Sequence, residues 1–151
     1  MSRNEKAFLD MLAVSELGYE LLNNSDDGYN ILVGGGKFDS YAAHPNKLIW
    51  LPSLGISSTA AGRYQILHRN AVSYSKLLGL EDFGHFSQDT MALQMIRERK
   101  ALPLINEGKI KEAIAAVKNI WASLPGAGYN QHENKLEMLL KAFTDSNGTL
   151  A

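Results

Sequence analysis

A polar, glycine-punctuated run over residues 19–56 separates one amphipathic helical pattern from several later ones, and this order restricts the fold more than any other feature. The run carries Asn23-Asn24-Ser25-Asp26-Asp27-Gly28, a composition of turns. Ile31-Leu32-Val33 then reads as a short strand stopped by Gly34-Gly35-Gly36. Lys47-Leu48-Ile49-Trp50 is a second candidate strand, and the Phe38 to Tyr41 region a third. Residues 19–56 therefore read as a small β-rich lobe.

The flanking segments are helical. Ser2 and Glu5 have the spacing of a capping box, so a helix is expected from about Arg3. Phe8, Met11 and Leu12 recur at helical spacing, and Gly18 suits the end of a helix that runs to about Glu16 or Leu17. After the β-rich run, Tyr64 to about Leu78 reads as a helix closed by Gly79. Ser87 can cap another that runs to about Ala101, and Leu102-Pro103-Leu104-Ile105 breaks it. Gly108 closes the next turn, and Ile110, Ile114, Val117 and Trp121 then form a helical stripe. Leu124-Pro125-Gly126-Ala127-Gly128 ends that helix in a loop, and a last helix carries Leu136, Leu139, Leu140 and Phe143. The polar tail after Asp145 is expected to fray. Helix, small sheet and several helices in order give an α+β fold, expected as one domain over residues 1–151.

The 45% of hydrophobic and 21% of charged residues suit a globular domain, and a formal net charge of −1 supplies no field for nucleic acid. No cysteine is present, which excludes disulfides and thiolate chemistry. The N-terminus is polar and the apolar run after it is broken by Asp10, unlike a signal peptide. No stretch approaches the roughly 18 apolar residues of a membrane span. Synthesis in the cytoplasm without membrane insertion is the expectation. His44, His68, His85 and His132 are scattered with no pair at metal-ligand spacing, so neither a metal nor a cofactor is expected.

Glu16 is the candidate reactive group. It follows Leu12 by four residues and stays at the edge of the apolar stripe, where partial desolvation would favour its protonated form. A carboxylic acid still protonated near neutral pH is what cleavage of a glycosidic bond needs. The local pattern also fits a solvated helix-end glutamate. Three segments suit the lining of a cleft. Ser15-Glu16 is the first, and Gly62-Arg63-Tyr64-Gln65, placed at a helix start, is the second. Gln65 can donate and accept, as a sugar's hydroxyl and acetamido groups require, while Tyr64 suits an apolar sugar face or the core. Arg63 suits a substrate carboxylate or a surface ion pair. The third segment is Gly126-Ala127-Gly128-Tyr129-Asn130-Gln131, whose glycines allow close backbone approach. Taken singly, each segment also fits capping or turning. Trp50 fits a sugar platform or the core, and Trp121 the core.

In order along the chain stand Lys6-Ala7-Phe8-Leu9-Asp10-Met11-Leu12-Ala13 with Ser15-Glu16, Gly28-Tyr29, Val33-Gly34-Gly35, and His44-Pro45 with Lys47-Leu48. Gly62-Arg63-Tyr64-Gln65, Ala101-Leu102-Pro103 and Ile120-Trp121-Ala122-Ser123-Leu124-Pro125-Gly126-Ala127-Gly128-Tyr129 follow. Together they resemble the phage lambda endolysin family of lysozyme-like lytic transglycosylases over nearly the whole chain. The chain departs from that pattern at Leu17, where the family has glycine, and in the length and text of residues 19–27. The resemblance implies a lysozyme-like fold with a cleft between the small β lobe and a larger helical lobe. It implies cleavage of peptidoglycan glycan strands between N-acetylmuramic acid and N-acetylglucosamine. Glu16 falls on the family's catalytic glutamate, and the Gly-x-x-Gln and Tyr-Asn elements of the wider transglycosylase group resemble Gly62 with Gln65 and Tyr129 with Asn130; Ser15, Tyr29, Arg63, Tyr64 and Gln131 are the further candidate substrate-binding residues.

A hydrolytic glycosidase uses two carboxylates, and the candidates for a second, Glu20, Asp26 and Asp27, all lie in the polar run. A lytic transglycosylase needs one, because the muramic acid's own C6 hydroxyl attacks the anomeric carbon. Transglycosylation is the expectation. A hydrolytic muramidase and a non-catalytic glycan-binding virion protein are the alternatives. The resemblance further implies a monomer held in the host cytoplasm until a holin opens the membrane, and acting then in the periplasm.

Overall fold

The computed structural model describes residues 1–128 and 133–151. Two compact units divide them: Met1–Glu16 with Ala92–Ala151, and Leu17–Met91. Among the described residues no helix is long and apolar enough to cross a membrane.

The first unit is helical. Helix α1, Arg3–Asn23, of which this unit holds the part to Glu16, starts on the expected capping box: the Glu5 amide donates to Ser2 Oγ at 3.0 Å and the Ser2 amide to Glu5 Oε1 at 3.2 Å. Ala7, Phe8, Met11, Leu12 and Ala13 are fully buried. Gly18 leaves helical geometry at φ 81° and ψ 160°, which only glycine adopts cheaply. Helix resumes beyond it to Asn23, so residues 19–23 are helical where turns were expected. Glu16 thus stands in the last turn before the break.

Later elements of the chain are α2 (His68–Leu78), α3 (His85–Glu98), α4 (Leu102–Asn106), α5 (Ile110–Val117) and α6 (Leu136–Asp145). α3 ends at Glu98, ahead of the expected break, and Leu102–Asn106 forms a short helix of its own, because proline in a first turn removes no needed hydrogen bond. The stripe of α5 is buried as its spacing predicts, and Trp121 and Leu124 continue that core in the turn that follows. The C-terminal tail does not fray. Asn4 Oδ1 accepts from the Thr149 amide at 2.9 Å, and Asn4 Nδ2 donates to the Ile105 and Thr149 carbonyls at 2.9 and 3.0 Å. The Ala151 amide donates to the Gly108 carbonyl at 3.1 Å. These bonds tie both chain ends to the α4–α5 turn.

The second unit holds the β structure, which is sparser than the sequence predicts. β1 (Ile49–Leu51) pairs antiparallel with β2 (Ile56–Ser58), in the register Trp50↔Ser57. Trp50 is 59% exposed on this hairpin and is not core. Ile31 and Leu32 make isolated bridges to Lys37 and Ala61 rather than a strand, and Phe38 to Tyr41 forms none. Ala61 and Ile66 exchange both amide bonds, at 3.1 and 2.9 Å, around Gly62-Arg63-Tyr64-Gln65. That segment is therefore a tight β turn, not a helix start. Gly62 and Gln65 have φ of 86° and 51°, which no α-helix accommodates, so α2 waits until His68.

Candidate active site

Glu16 combines helical placement, burial and one strong polar partner. Ser15 beside it is 7% exposed, and Glu16 is itself half-buried, with its carboxyl partly desolvated. Burial pushes the carboxyl up from its ordinary 4.5 to about 7, against a smaller downward pull from the Ser123 hydroxyl. Ser123 Oγ donates a short hydrogen bond to Glu16 Oε2. Near neutral pH such a group exists in both forms, so it can give a proton and take one back.

The turn after α5 places Ser123. The Leu124 amide bonds the Trp121 carbonyl at 3.1 Å, and both of those side chains are buried. Ser123 Oγ lies 2.7 Å from Ser15 Oγ, and the Ser123 carbonyl accepts from the Asn134 amide at 2.8 Å. Asn134 Nδ2 donates to the Ser15 carbonyl at 2.9 Å and to Ser15 Oγ at 3.1 Å. The neighbouring Glu133 carboxylate accepts the Gly126 and Gly128 amides, each at 3.0 Å. Those two bonds, Gly128 first, hold the Glu133 carboxyl below the usual range. Ser15 and Glu16 are thus joined to Ser123 and Asn134, neither of which was singled out as a site residue. Ser123 lies in the residue block that carried the family resemblance; Asn134 has no signature in the sequence. Tyr129, Asn130 and Gln131 lie outside the described residues.

The other sequence-derived site residues gather in the second unit. Tyr64 is fully buried, and its hydroxyl donates to Asp89 Oδ1 at 2.5 Å. Tyr29, 8% exposed, donates to the same oxygen at 2.8 Å. Arg63 is 6% exposed; its Nε donates to the Asp27 carbonyl at 2.9 Å and its Nη1 to the Tyr64 hydroxyl at 3.1 Å. Its guanidinium lies 5.3 Å from the Tyr29 ring centre and 5.7 Å from that of Tyr64. Of the two settings open to Tyr64, the core is the one found. Gln65 is half-buried and donates to the Gly62 carbonyl at 2.8 Å. Gly62 abuts Gln88, whose Oε1 accepts the Arg63 amide at 2.9 Å. In these contacts Tyr29, Arg63 and Tyr64 bind protein groups and anchor the turn to α3.

The candidate second carboxylates belong to the second unit and are engaged or solvated. Tyr41 donates to Asp26 Oδ2 at 2.5 Å and His85 lies 2.6 Å from it; the Tyr41 bond, then the His85 bond, hold that carboxyl below its usual range. Asp27 pairs with Arg63 at 3.4 Å, and Glu20 is exposed. Among the described residues no group of three or more His, Asp or Glu side chains is placed to hold a metal ion.

A sequence profile of the endolysin family matches residues 6–150. The endolysin of Escherichia phage lambda is 50% identical over 99% of this chain and 95% of its own length. The endolysin of Escherichia phage P2 is 45% identical over 99% and 96%. A solved structure of bacteriophage lambda lysozyme in complex with a chitohexasaccharide superposes with a TM-score of 0.92 at 47% identity, over all of this chain and 98% of the other. A second lambda lysozyme structure gives a TM-score of 0.89 over the same shares.

Proposed function

Since this chain belongs to the endolysin family, we propose that it cuts peptidoglycan between N-acetylmuramic acid and N-acetylglucosamine by transglycosylation, with Glu16 acting first as acid and then as base. The fold is α+β and lysozyme-like. In the proposed step protonated Glu16 gives its proton to the glycosidic oxygen as that bond breaks. The muramic acid's C6 hydroxyl attacks the anomeric carbon, and its proton passes to the Glu16 carboxylate. A 1,6-anhydro ring forms, Glu16 is protonated again, and no water is consumed. The nucleophile is tethered to the reacting ring, which gives it the advantage of proximity.

The observation that carries this reading is the Glu16 carboxyl, pushed to about 7 by burial. A group so poised suits both halves of one proton cycle. The engagement of Asp26 and Asp27, and the exposure of Glu20, support a single carboxylate over a hydrolytic pair. The likeness to a lysozyme that holds a chitohexasaccharide supports a β-1,4-linked amino-sugar strand as the ligand. Glu16→Gln should abolish clearing of a peptidoglycan suspension while leaving the circular dichroism of the native fold unchanged. Substantial activity in that variant would sink the assignment, and so would reducing ends in place of anhydro ends among the wild-type products. The proposal extends to timing: the enzyme waits in the host cytoplasm for a holin to open the inner membrane. Expression without a holin should then leave the host unlysed.

A further inference from the structure

Asn134, Ser15, Ser123 and Glu16 form a continuous chain of hydrogen bonds whose direction can be read from its ends. At one end, Asn134 faces the Ser15 carbonyl at 2.9 Å. A carbonyl only accepts, so the amide nitrogen and not the amide oxygen lies on that side. The same nitrogen is 3.1 Å from Ser15 Oγ, which therefore accepts from it and keeps its own proton free. That proton points along the 2.7 Å contact to Ser123 Oγ, whose hydroxyl in turn donates to Glu16 Oε2. A reversed chain would leave Ser15 accepting from both neighbours with its own hydrogen displaced. The Asn134 amide also bonds the Ser123 carbonyl at 2.8 Å, so one residue fixes both serines.

We propose that Asn134, Ser15 and Ser123 are positioning residues: a polarised relay that keeps Glu16 Oε2 an acceptor in both protonation states and so stations the transferable proton on Oε1. The inference rests on Glu16 being the acid, and it deepens that reading by naming what aims the proton. The groups that meet Glu16 are Ser15 on its own helix and Ser123 on the turn after α5. Among the described residues no ionised side chain contributes to the displacement of its carboxyl. The charges on the facing loop, Glu133 and Lys118, act on each other, and Glu133 also holds the Gly126 and Gly128 amides.

The test is the pH profile of kcat/KM on soluble glycan strands, beside titration of the Glu16 carboxyl carbon by NMR in the intact protein. Ser123→Ala removes the hydrogen bond that favours the carboxylate. The alkaline limb and the NMR midpoint should both move up by about one pH unit. kcat should fall about tenfold with KM nearly unchanged, since Ser123 bonds the acid itself. Ser123→Thr keeps the hydroxyl and should restore the wild-type profile. Asn134→Asp is nearly isosteric but turns a donor into an acceptor. It should reverse the relay and move the limb up at least as far as Ser123→Ala. A folded Ser123→Ala or Asn134→Asp protein with an unmoved limb and midpoint would overturn the relay. Activity retained by Glu16→Gln would instead remove the acid on which it rests, so the two failures are distinguishable.

Discussion

At the scale of the residue, the burial that suits Glu16 to its proposed role as acid also makes stability depend on pH. Burial pushes the Glu16 carboxyl from the ordinary 4.5 of an exposed glutamate up to about 7 in the folded chain. Between those values the folded state holds a proton that the unfolded state has released, so raising the pH through this window favours unfolding. The full difference corresponds to about 3 kcal/mol. Glu16→Gln removes that cost. The variant should match wild type in urea unfolding at pH about 4 and exceed it by up to about 3 kcal/mol at pH about 8. A difference that stays constant across this range would show that burial does not displace the carboxyl. Under the proposed function, stability and activity pull oppositely on this side chain. That Glu16 sits at the edge of an apolar stripe was legible from Leu12 four residues earlier. That its partners are Ser123 and Asn134 was not, because contacts across more than 100 residues leave no local periodicity.

At the scale of the element, the turn from Ala61 to Ile66 shows how a local pattern misleads. Tyr64 and Gln65 suit the start of a helix, and the apolar spacing downstream continues into α2. The outcome is decided elsewhere. Gln88 on α3 accepts the Arg63 amide and donates to the Tyr29 and Phe83 carbonyls at 3.0 and 2.8 Å, and so clamps the turn. Gly62 leaves room for that side chain: an added Cβ would collide with Gln88 and lie 3.1 Å from Phe83, at a φ of 86°. Gly62→Ala should lower unfolding stability by about 2 kcal/mol or more, read as a shift in urea midpoint. An unchanged midpoint would mean that the Gln88 clamp is dispensable. The same logic explains the missing strands. Ile31 and Leu32 have strand-forming character, but their partners are single residues, so bridges form and not a ladder. The capping box and the buried stripe of α5 were legible because both are set within one helix.

At the scale of the whole molecule, the order of helix, small β structure and helices was readable because it depends on composition along the chain and not on pairing. The docking of the tail was not, since Asn4 binds Thr149 through polar groups that look unremarkable in either segment. Among the described residues the Glu16 carboxyl is desolvated and hydrogen-bonded to Ser123, while Asp26 and Asp27 are bound to other side chains. The proposed ring closure and the alternative hydrolysis differ in one reagent, water. Peptidoglycan digested in heavy-oxygen water and examined by mass spectrometry provides the most direct measurement. Anhydro-muropeptide ends that carry no heavy oxygen are the predicted result; reducing ends labelled by the solvent would contradict it.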